Sequence, residues 1–471
     1  MSIIKGFSIG LLTVPMIIQA QDKPNIIYIL ADDLGYGDLS CLNKESKIST
    51  PFLDQLASEG MIFSDAHTAS SVSTPSRYAI LTGRYSWRSK LKNGVLHGNS
   101  THLIPPDRHT VASILDEEGY NTACIGKWHL GMDWPTIDGG AAAKGLKNVD
   151  FEKDIQNGPL DLGFDYFFGL SGSLGMAPHV YVENRRAVEI PSRYISDNKI
   201  LKKEMLNGRP GWMADGWNIY NVLPDITEKA TSYIMENAGK GNPFFLYFPL
   251  SSPHKPVAPN EEFLGKSEAG AYGDFVVETD WVIGQILKAV KEAGVEKNTL
   301  IIFTADNGPE NTMIQRKTEF DHFSSGEYRG CKRDNWEGGH RVPLLMKWPE
   351  KIKSGTISDI PVSLVDLMAT VADINNTEYS ENAGEDSHSI LPLMLSENIP
   401  DYEERIIIHH SSFGHFAVRK GNWVLLLHSG SGGKDQLYTD LDAEYFETPV
   451  QLYNLAEDPG QFKNLYKEYP D

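Results

Sequence analysis

Cysteine is scarce in this chain: Cys41, Cys124 and Cys331 are the whole complement of 471 residues. An odd and sparse count excludes a disulfide framework, and none of the three has metal-thiolate spacing. One incidental bridge stays open in an oxidising compartment; otherwise they read as buried small hydrophobes. Basic charge is also short, with 43 Lys and Arg against 63 Asp and Glu and a net charge of −20. No basic run or excess is available, which excludes a general nucleic-acid binder. An anionic substrate is not excluded, because a local cluster of Arg, Lys and metal outweighs a distant acidic surface. Long hydrophobic runs are missing beyond the N-terminus. There, Lys5 precedes an apolar stretch from Phe7 to Ile18, and Gln19-Ala20 offers a small-residue cleavage point. Residues 1–20 therefore read as a secretory signal peptide, too short for an integral membrane span. Internal repeats and low-complexity tracts are absent.

What is present is an alternating pattern. The length fits one large domain with a smaller one. A β-rich apolar run, Pro24 to Ala31, ends at Asp32-Asp33, and similar runs recur at 121–125, 244–249 and 299–304. Runs without alternation suggest central strands covered on both faces. Helical patterns lie between them at 50–60, 110–119, 226–238 and 274–293. Alternating strand and helix implies βαβ units and a mostly parallel sheet sandwiched by helices, with sites at the C-terminal strand ends. Residues 133–220 read as long loops and small strands inserted above the sheet. After about residue 375 the pattern turns to short alternating strands at 405–409, 416–419 and 423–427, with 430–433 as a flexible turn. The expected organisation is an α/β domain over 21–375 and an antiparallel α+β subdomain over 376–471. The pattern stops soon after Asp458-Pro459 without a closing helix, so a missing C-terminal portion is expected.

Chemistry-bearing residues cluster at the strand ends. Asp32 and Asp33 repel each other, and burying both is costly unless a cation offsets them. With Asp306-Asn307 at another strand end they form a hard-oxygen donor set suited to Ca²⁺ or Mg²⁺. Lys127 and His129, two apart on what reads as an extended segment, point to one side as a fixed cation and a titratable donor. His254 stands in a loop stiffened by Pro253 and Pro256, placed to act as a general acid. Lys332, a compact cation, lies just upstream of the pair Gly338-Gly339, which permits close backbone approach. Finally, Ser73-Thr74-Pro75-Ser76-Arg77 is followed by Leu81-Thr82-Gly83-Arg84.

That last stretch resembles the type I, formylglycine-dependent sulfatase signature C/S-x-P-S-R-x-x-x-L-T-G. In order, Asp-Asp after the first strand, G-K-W-H-L-G, P-H-x-P, D-N-G-P, G-x-K and W-E-G-G-x-R-V-P match the same family across nearly the whole mature chain. The resemblance implies the alkaline-phosphatase-like α/β fold with a C-terminal antiparallel subdomain. It implies one Ca²⁺ held by Asp32, Asp33, Asp306 and Asn307, with modified Ser73 and the substrate sulfate completing the shell. It implies that Ser73 becomes formylglycine, whose hydrate attacks sulfur. Arg77 and Lys127 would hold and stabilise that nucleophile, and His129 would take up a proton as sulfate leaves. His254 and Lys332 would face the bridging oxygen, with His254 the proton donor. Serine in the first motif position implies a sulfatase-maturating enzyme of the serine-competent, oxygen-independent kind. The family links such systems to bacteria, and together with the export signal and acidic composition this gives the expectation of a protein in the periplasm or at the surface of a Gram-negative cell.

The implied substrate is a sulfated glycan, with a lean to 6-O-sulfated galactose or N-acetylgalactosamine of glycosaminoglycan or mucin type. Asp133, Trp134, Asp165, Tyr166, His179 and Trp212 are candidate sugar-subsite residues. Two rivals remain: a phosphate or phosphonate ester hydrolase of the same superfamily, and a non-catalytic sulfoglycan-binding protein.

Overall fold

The computed structural model describes residues 23–196, 208–397, 402–438 and 444–469. The signal peptide expected over residues 1–20 lies outside them. Among the described residues no helix is long and apolar enough to cross a membrane. The chain runs through strands β1 (Asn25–Ala31), β2 (Met61–Phe63), β3 (Ala66–His67), β4 (Asn121–Lys127), β5 (Tyr166–Leu170), β6 (Val182–Glu183) and β7 (Arg186–Ala187). It continues through β8 (Arg193–Ile195), β9 (Gly211–Met213), β10 (Phe244–Pro249), β11 (Thr299–Ala305), β12 (Leu344–Lys347), β13 (Thr356–Ser358) and β14 (Val362–Ser363).

Ten of these form one sheet in the order β13-β2-β12-β11-β1-β10-β4-β5-β6-β7. The five central strands, β11 to β5, are mutually parallel, and antiparallel pairs flank them on both sides. Ile26 to Ala31 and Phe244 to Phe248 are at most 2% exposed. Burying each such side chain contributes about 1.5–3 kcal/mol, which is why these runs lack polar alternation. Helices pack in two groups, as a sheet covered on both faces requires. One group joins Pro51–Ser58, Val222–Asn237 and Gly270–Glu292; the other joins Ser73–Thr82, Val111–Glu117 and Leu367–Asn375.

A separate antiparallel sheet, β15 (Ile406–His410), β16 (Phe416–Lys420), β17 (Trp423–Leu426) and β18 (Gln451–Asn454), closes the described chain. Its fourth strand escapes the sequence pattern because its four residues alternate only between buried and half-buried. Two expectations are corrected here, and one left open is decided. Tyr166–Leu170 is no insertion but a parallel strand of the main sheet, paired with β4. The turn at 430–433 is pinned, with buried Ser431 donating from its backbone and hydroxyl to Asp435 at 2.7 and 2.8 Å. All three cysteines are free, and Cys124 and Cys331 are buried, so no bridge forms.

Candidate active site

Four neighbouring parallel strands deliver the site. Asp32-Asp33 follow β1, Asp306-Asn307 follow β11, His254 lies beyond β10, and Lys127 ends β4. In an open α/β sheet these C-terminal ends share one edge. Ser73 is the first residue of helix Ser73–Thr82, whose extended cap residue Val72 supplies no side-chain cap. The unsatisfied amides of that first turn favour negative charge beside Ser73. Two motif glycines are needed for close approach. A Cβ on Gly126, at φ 127°, would meet the Pro249 carbonyl oxygen at 2.0 Å, and one on Gly308 would meet that of Gly338 at 1.9 Å.

The buried polar groups interlock. Lys127 Nζ donates to Asp32 Oδ2 at 2.6 Å and lies 3.4 Å from Ser73 Oγ. Ser73 Oγ is 3.3 Å from Asp32 Oδ1 and 3.5 Å from Asn307 Oδ1. Arg77, fully buried, donates through Nε and Nη2 to Asp306 Oδ2 at 3.0 and 2.7 Å, and through Nη1 to the Lys127 carbonyl at 3.1 Å. Lys332 Nζ grips both oxygens of Asp33 at 2.6 and 2.7 Å. Asn307 Nδ2 donates to Asp33 Oδ1 at 2.8 Å.

Burial pushes the Asp32 carboxyl up to about 7, with Lys127 pulling the other way, and burial lowers Lys127 in turn. For Asp33, burial works to raise the carboxyl, but Lys332 and then His254 leave it lowered. His129 is held well below its ordinary value by burial and by Lys127 and Arg77. Its Nε2 pairs with the Leu96 carbonyl at 2.9 Å, and its buried Nδ1 has no hydrogen-bond partner. His129 takes φ 57°, so the segment is kinked rather than extended as the sequence suggested. His254 Nε2 lies 3.5 Å from Asp33 Oδ2 while Nδ1 meets the Lys255 carbonyl. Burial brings this imidazole down to about 3, so it rests neutral with its proton on Nδ1.

The donor set suits a hard cation. Asp32, Asp33 and His254 lie close enough to hold one ion, and Ser73 and Asn307 add oxygens beside Asp32. Three carboxylates face Arg77, Lys127 and Lys332, a balance of zero net charge. A divalent cation would make the cluster positive, which an anionic ligand requires.

Comparison with known proteins decides what this arrangement belongs to. The sulfatase family model matches residues 24–376, and the model for the C-terminal part of N-sulphoglucosamine sulphohydrolase matches residues 326–470. The chain belongs to the sulfatase family. A similar curated protein is an N-acetylgalactosamine-6-O-sulfatase of Bacteroides thetaiotaomicron, 34% identical over 96% of this chain and 91% of its own length. Human steryl-sulfatase is 32% identical over 80% of this chain and 70% of its own. Among solved structures, a 6S-sulfatase from a study of glycosaminoglycan metabolism in Bacteroides thetaiotaomicron superposes with TM-score 0.81 at 32% identity, covering 96% and 97% of the two chains. The enzyme is thus a sulfuric ester hydrolase with an alkaline-phosphatase-like fold.

The residues expected to form a sugar subsite are largely engaged within this sulfatase, although His179 and Trp212 do meet, the His179 amide donating to the Trp212 carbonyl at 2.9 Å. Trp134 is 6% exposed, packs edge-on against Phe151, and gives its indole N–H to the Gly98 carbonyl at 2.9 Å. That ring has no free face for a sugar. Asp165 and Tyr166 sit at the start of β5, the strand end opposite the catalytic edge, where Asp165 accepts from the Thr122 amide at 2.9 Å. His179 is buried and joined to the Arg209 carbonyl, Trp212 packs edge-on against Tyr194, and Asp133 binds His102 and Asn157. Sequence reading passed over Glu310, three residues past Asn307, and the shell Asp38, Tyr272 and His322. Tyr272 Oη donates to the Asp33 carbonyl at 3.2 Å and to Asp38 at 2.6 Å, and His322 meets Asp38 at 2.8 Å. The carboxylate directly after D-N-G-P was the one available signal for Glu310.

Proposed function

We propose that this sulfatase removes 6-O-sulfate from galactose or N-acetylgalactosamine units of glycosaminoglycan or mucin-type glycans, acting outside the cytoplasm after export. The observation that carries the substrate class is the 34% identity, over 96% of the chain, to a protein named for that activity. Residue 73 is proposed as the modified residue, installed by a serine-competent maturating enzyme. Its aldehyde hydrate would supply an oxygen nucleophile that serine, as a neutral alcohol, does not. One Ca²⁺ would be held by Asp32, Asp33, Asp306, Asn307 and residue 73, and would supply positive charge to the sulfate oxygens.

The chain's own residues have distinct tasks in this reading. Arg77 fixes Asp306 and, through the Lys127 carbonyl, the end of β4. Lys127, 3.4 Å from Ser73 Oγ, lowers the cost of negative charge on that oxygen. His129, neutral with an unpartnered Nδ1, is a base ready to take a proton from residue 73. Lys332 lends a fixed cation at Asp33 to the bridging oxygen of the ester. His254 becomes a donor to the departing alcohol once the anionic sulfate beside it favours the imidazolium form.

The test is a panel of sulfated mono- and disaccharides, offered to protein whose residue 73 is verified as modified. Sulfate release from 6-sulfated galactose or N-acetylgalactosamine is expected to exceed release from 2-, 3- and 4-sulfated isomers. Preference for another position, or for phosphate esters, would overturn the reading.

A further inference from the structure

Glu310 touches none of the atoms assigned above, yet its partners are the chain neighbours of two of them. It is 4% exposed and accepts a fork from Arg333, Nη1 to Oε1 at 2.5 Å and Nη2 to Oε2 at 3.0 Å. On the other side Lys255 Nζ lies 3.2 Å from Oε2. Arg333 adjoins Lys332, and Lys255 adjoins His254. The loop carrying Glu310 also begins at Asn307, so three segments of the site converge on one carboxylate.

Backbone geometry reinforces the convergence. The Lys332 amide donates to the Pro309 carbonyl at 2.8 Å, and the Arg333 amide donates to the Ser71 carbonyl at 2.9 Å, two residues before Ser73. Arg333 adopts φ 90°, a conformation that a non-glycine residue keeps only when its surroundings impose it. The fork to Glu310 is the side-chain contact that holds Arg333 there. An exposed ion pair would explain little, because such pairs order side chains weakly. Glu310 is buried and bidentate, the geometry in which guanidinium and carboxylate fix one another's orientation.

We infer that Glu310 is a positioning residue for sulfate-ester cleavage, clamping the Lys332 and His254 loops onto the reacting group through Arg333 and Lys255. The inference rests on the proposed roles of Lys332 and His254.

The test is a double-mutant cycle on matured protein with 6-sulfated N-acetylgalactosamine or galactose, measuring kcat, KM and Tm for wild type, Glu310→Gln, Lys332→Ala and the double variant. Glu310→Gln is expected to lower kcat about 10-fold or more, with KM within about 3-fold. Glu310→Asp, which keeps the charge, should recover most of that loss. In the Lys332→Ala background the same substitution should cost clearly less, about 3-fold, since part of its effect is exerted through Lys332 and the rest through His254. An equal loss in both backgrounds, or a Glu310→Gln kcat within about 2-fold of wild type, overturns the clamp. If Glu310→Gln does not fold, Arg333→Gln cuts the same fork from its other end, and an unchanged kcat there overturns the clamp as well. A matured wild-type protein with no sulfatase turnover would instead overturn the site reading, and the inference with it.

Discussion

Two buried charge clusters in this molecule use similar residues to opposite ends. One is the site at the strand ends; the other is the seam where the C-terminal sheet meets the main body. In the seam, Asp65 pairs with Arg419 at 2.5 and 2.7 Å and with Arg341 at 3.1 Å, and Glu337 pairs with Arg341 at 2.8 Å. His67 bridges Asp65 at 2.5 Å and His340 at 3.0 Å, and His409 stacks on His340 with centroids 4.0 Å apart. Two carboxylates meet two guanidiniums there, with Arg419 and Asp65 paired as a fork. None of these seam residues has a positive φ, whereas Asp33, His129 and Arg333 at the site all do. The seam pairs its carboxylates with guanidiniums in relaxed backbone, though Glu337 Oε1, Arg341 Nε and His409 Nε2 find no hydrogen-bond partner among the described residues. The site holds oxygens and lysines around Ser73 Oγ in strained backbone, the pattern of a surface built for a ligand.

The comparison breaks first at Ser73. Ser73→Ala should reduce turnover by about three orders of magnitude or more, with Tm shifted by only a few degrees. Steady-state assay and calorimetry on one preparation check both halves. Next comes the seam. Asp65→Ala strands Arg419 and Arg341 in the interior and should cost about 3–5 kcal/mol of stability, read by denaturant titration, while kcat of the folded fraction stays within about 3-fold. A large kcat loss there would erase the distinction between the clusters.

Metal removal should act on the site alone. Chelation is expected to lower activity about 10- to 100-fold, equivalent to about 1.4–2.7 kcal/mol, and Ca²⁺ should restore it better than Mg²⁺. The smallest effect is acid sensitivity of the seam. Burial lowers His67, His340 and His409, so the folded state takes their protons less readily than the unfolded chain. Their contribution is complete above the unfolded value of about 6.5 and is lost as pH falls through the depressed folded values. Tm should therefore drop between pH 7 and pH 4.5. His409→Phe, at a ring that faces His340, His67 and Glu337, should make that loss of stability smaller by about 1 kcal/mol or less.

Much of the site was legible because its residues are tied to strand ends and glycine-rich turns within short motifs. Asp32, Asp33, Ser73, Arg77, Lys127, Lys332, Asp306 and Asn307 all meet in one cluster. The central strands were legible from unbroken apolar runs. What escaped depends on distant pairing. Asp65 and Arg419 are 354 residues apart, and no local pattern joins them. Trp134 reads from sequence as a candidate for the sugar subsite because an aromatic in a polar loop does not reveal which way it faces. The strand Tyr166–Leu170 was hidden inside an aromatic, glycine-rich stretch with weak periodicity. Glu310 fell just outside a motif whose end had been drawn at proline.

The central claim is that residue 73 works at this site as a modified serine. Its most direct test pairs mass spectrometry of the tryptic peptide containing residue 73 with sulfate release, on protein made with and without a serine-competent maturating enzyme. A loss of two hydrogens is expected in the active preparation, and near-complete inactivity in the other. Full turnover by protein carrying an unmodified Ser73 would contradict it.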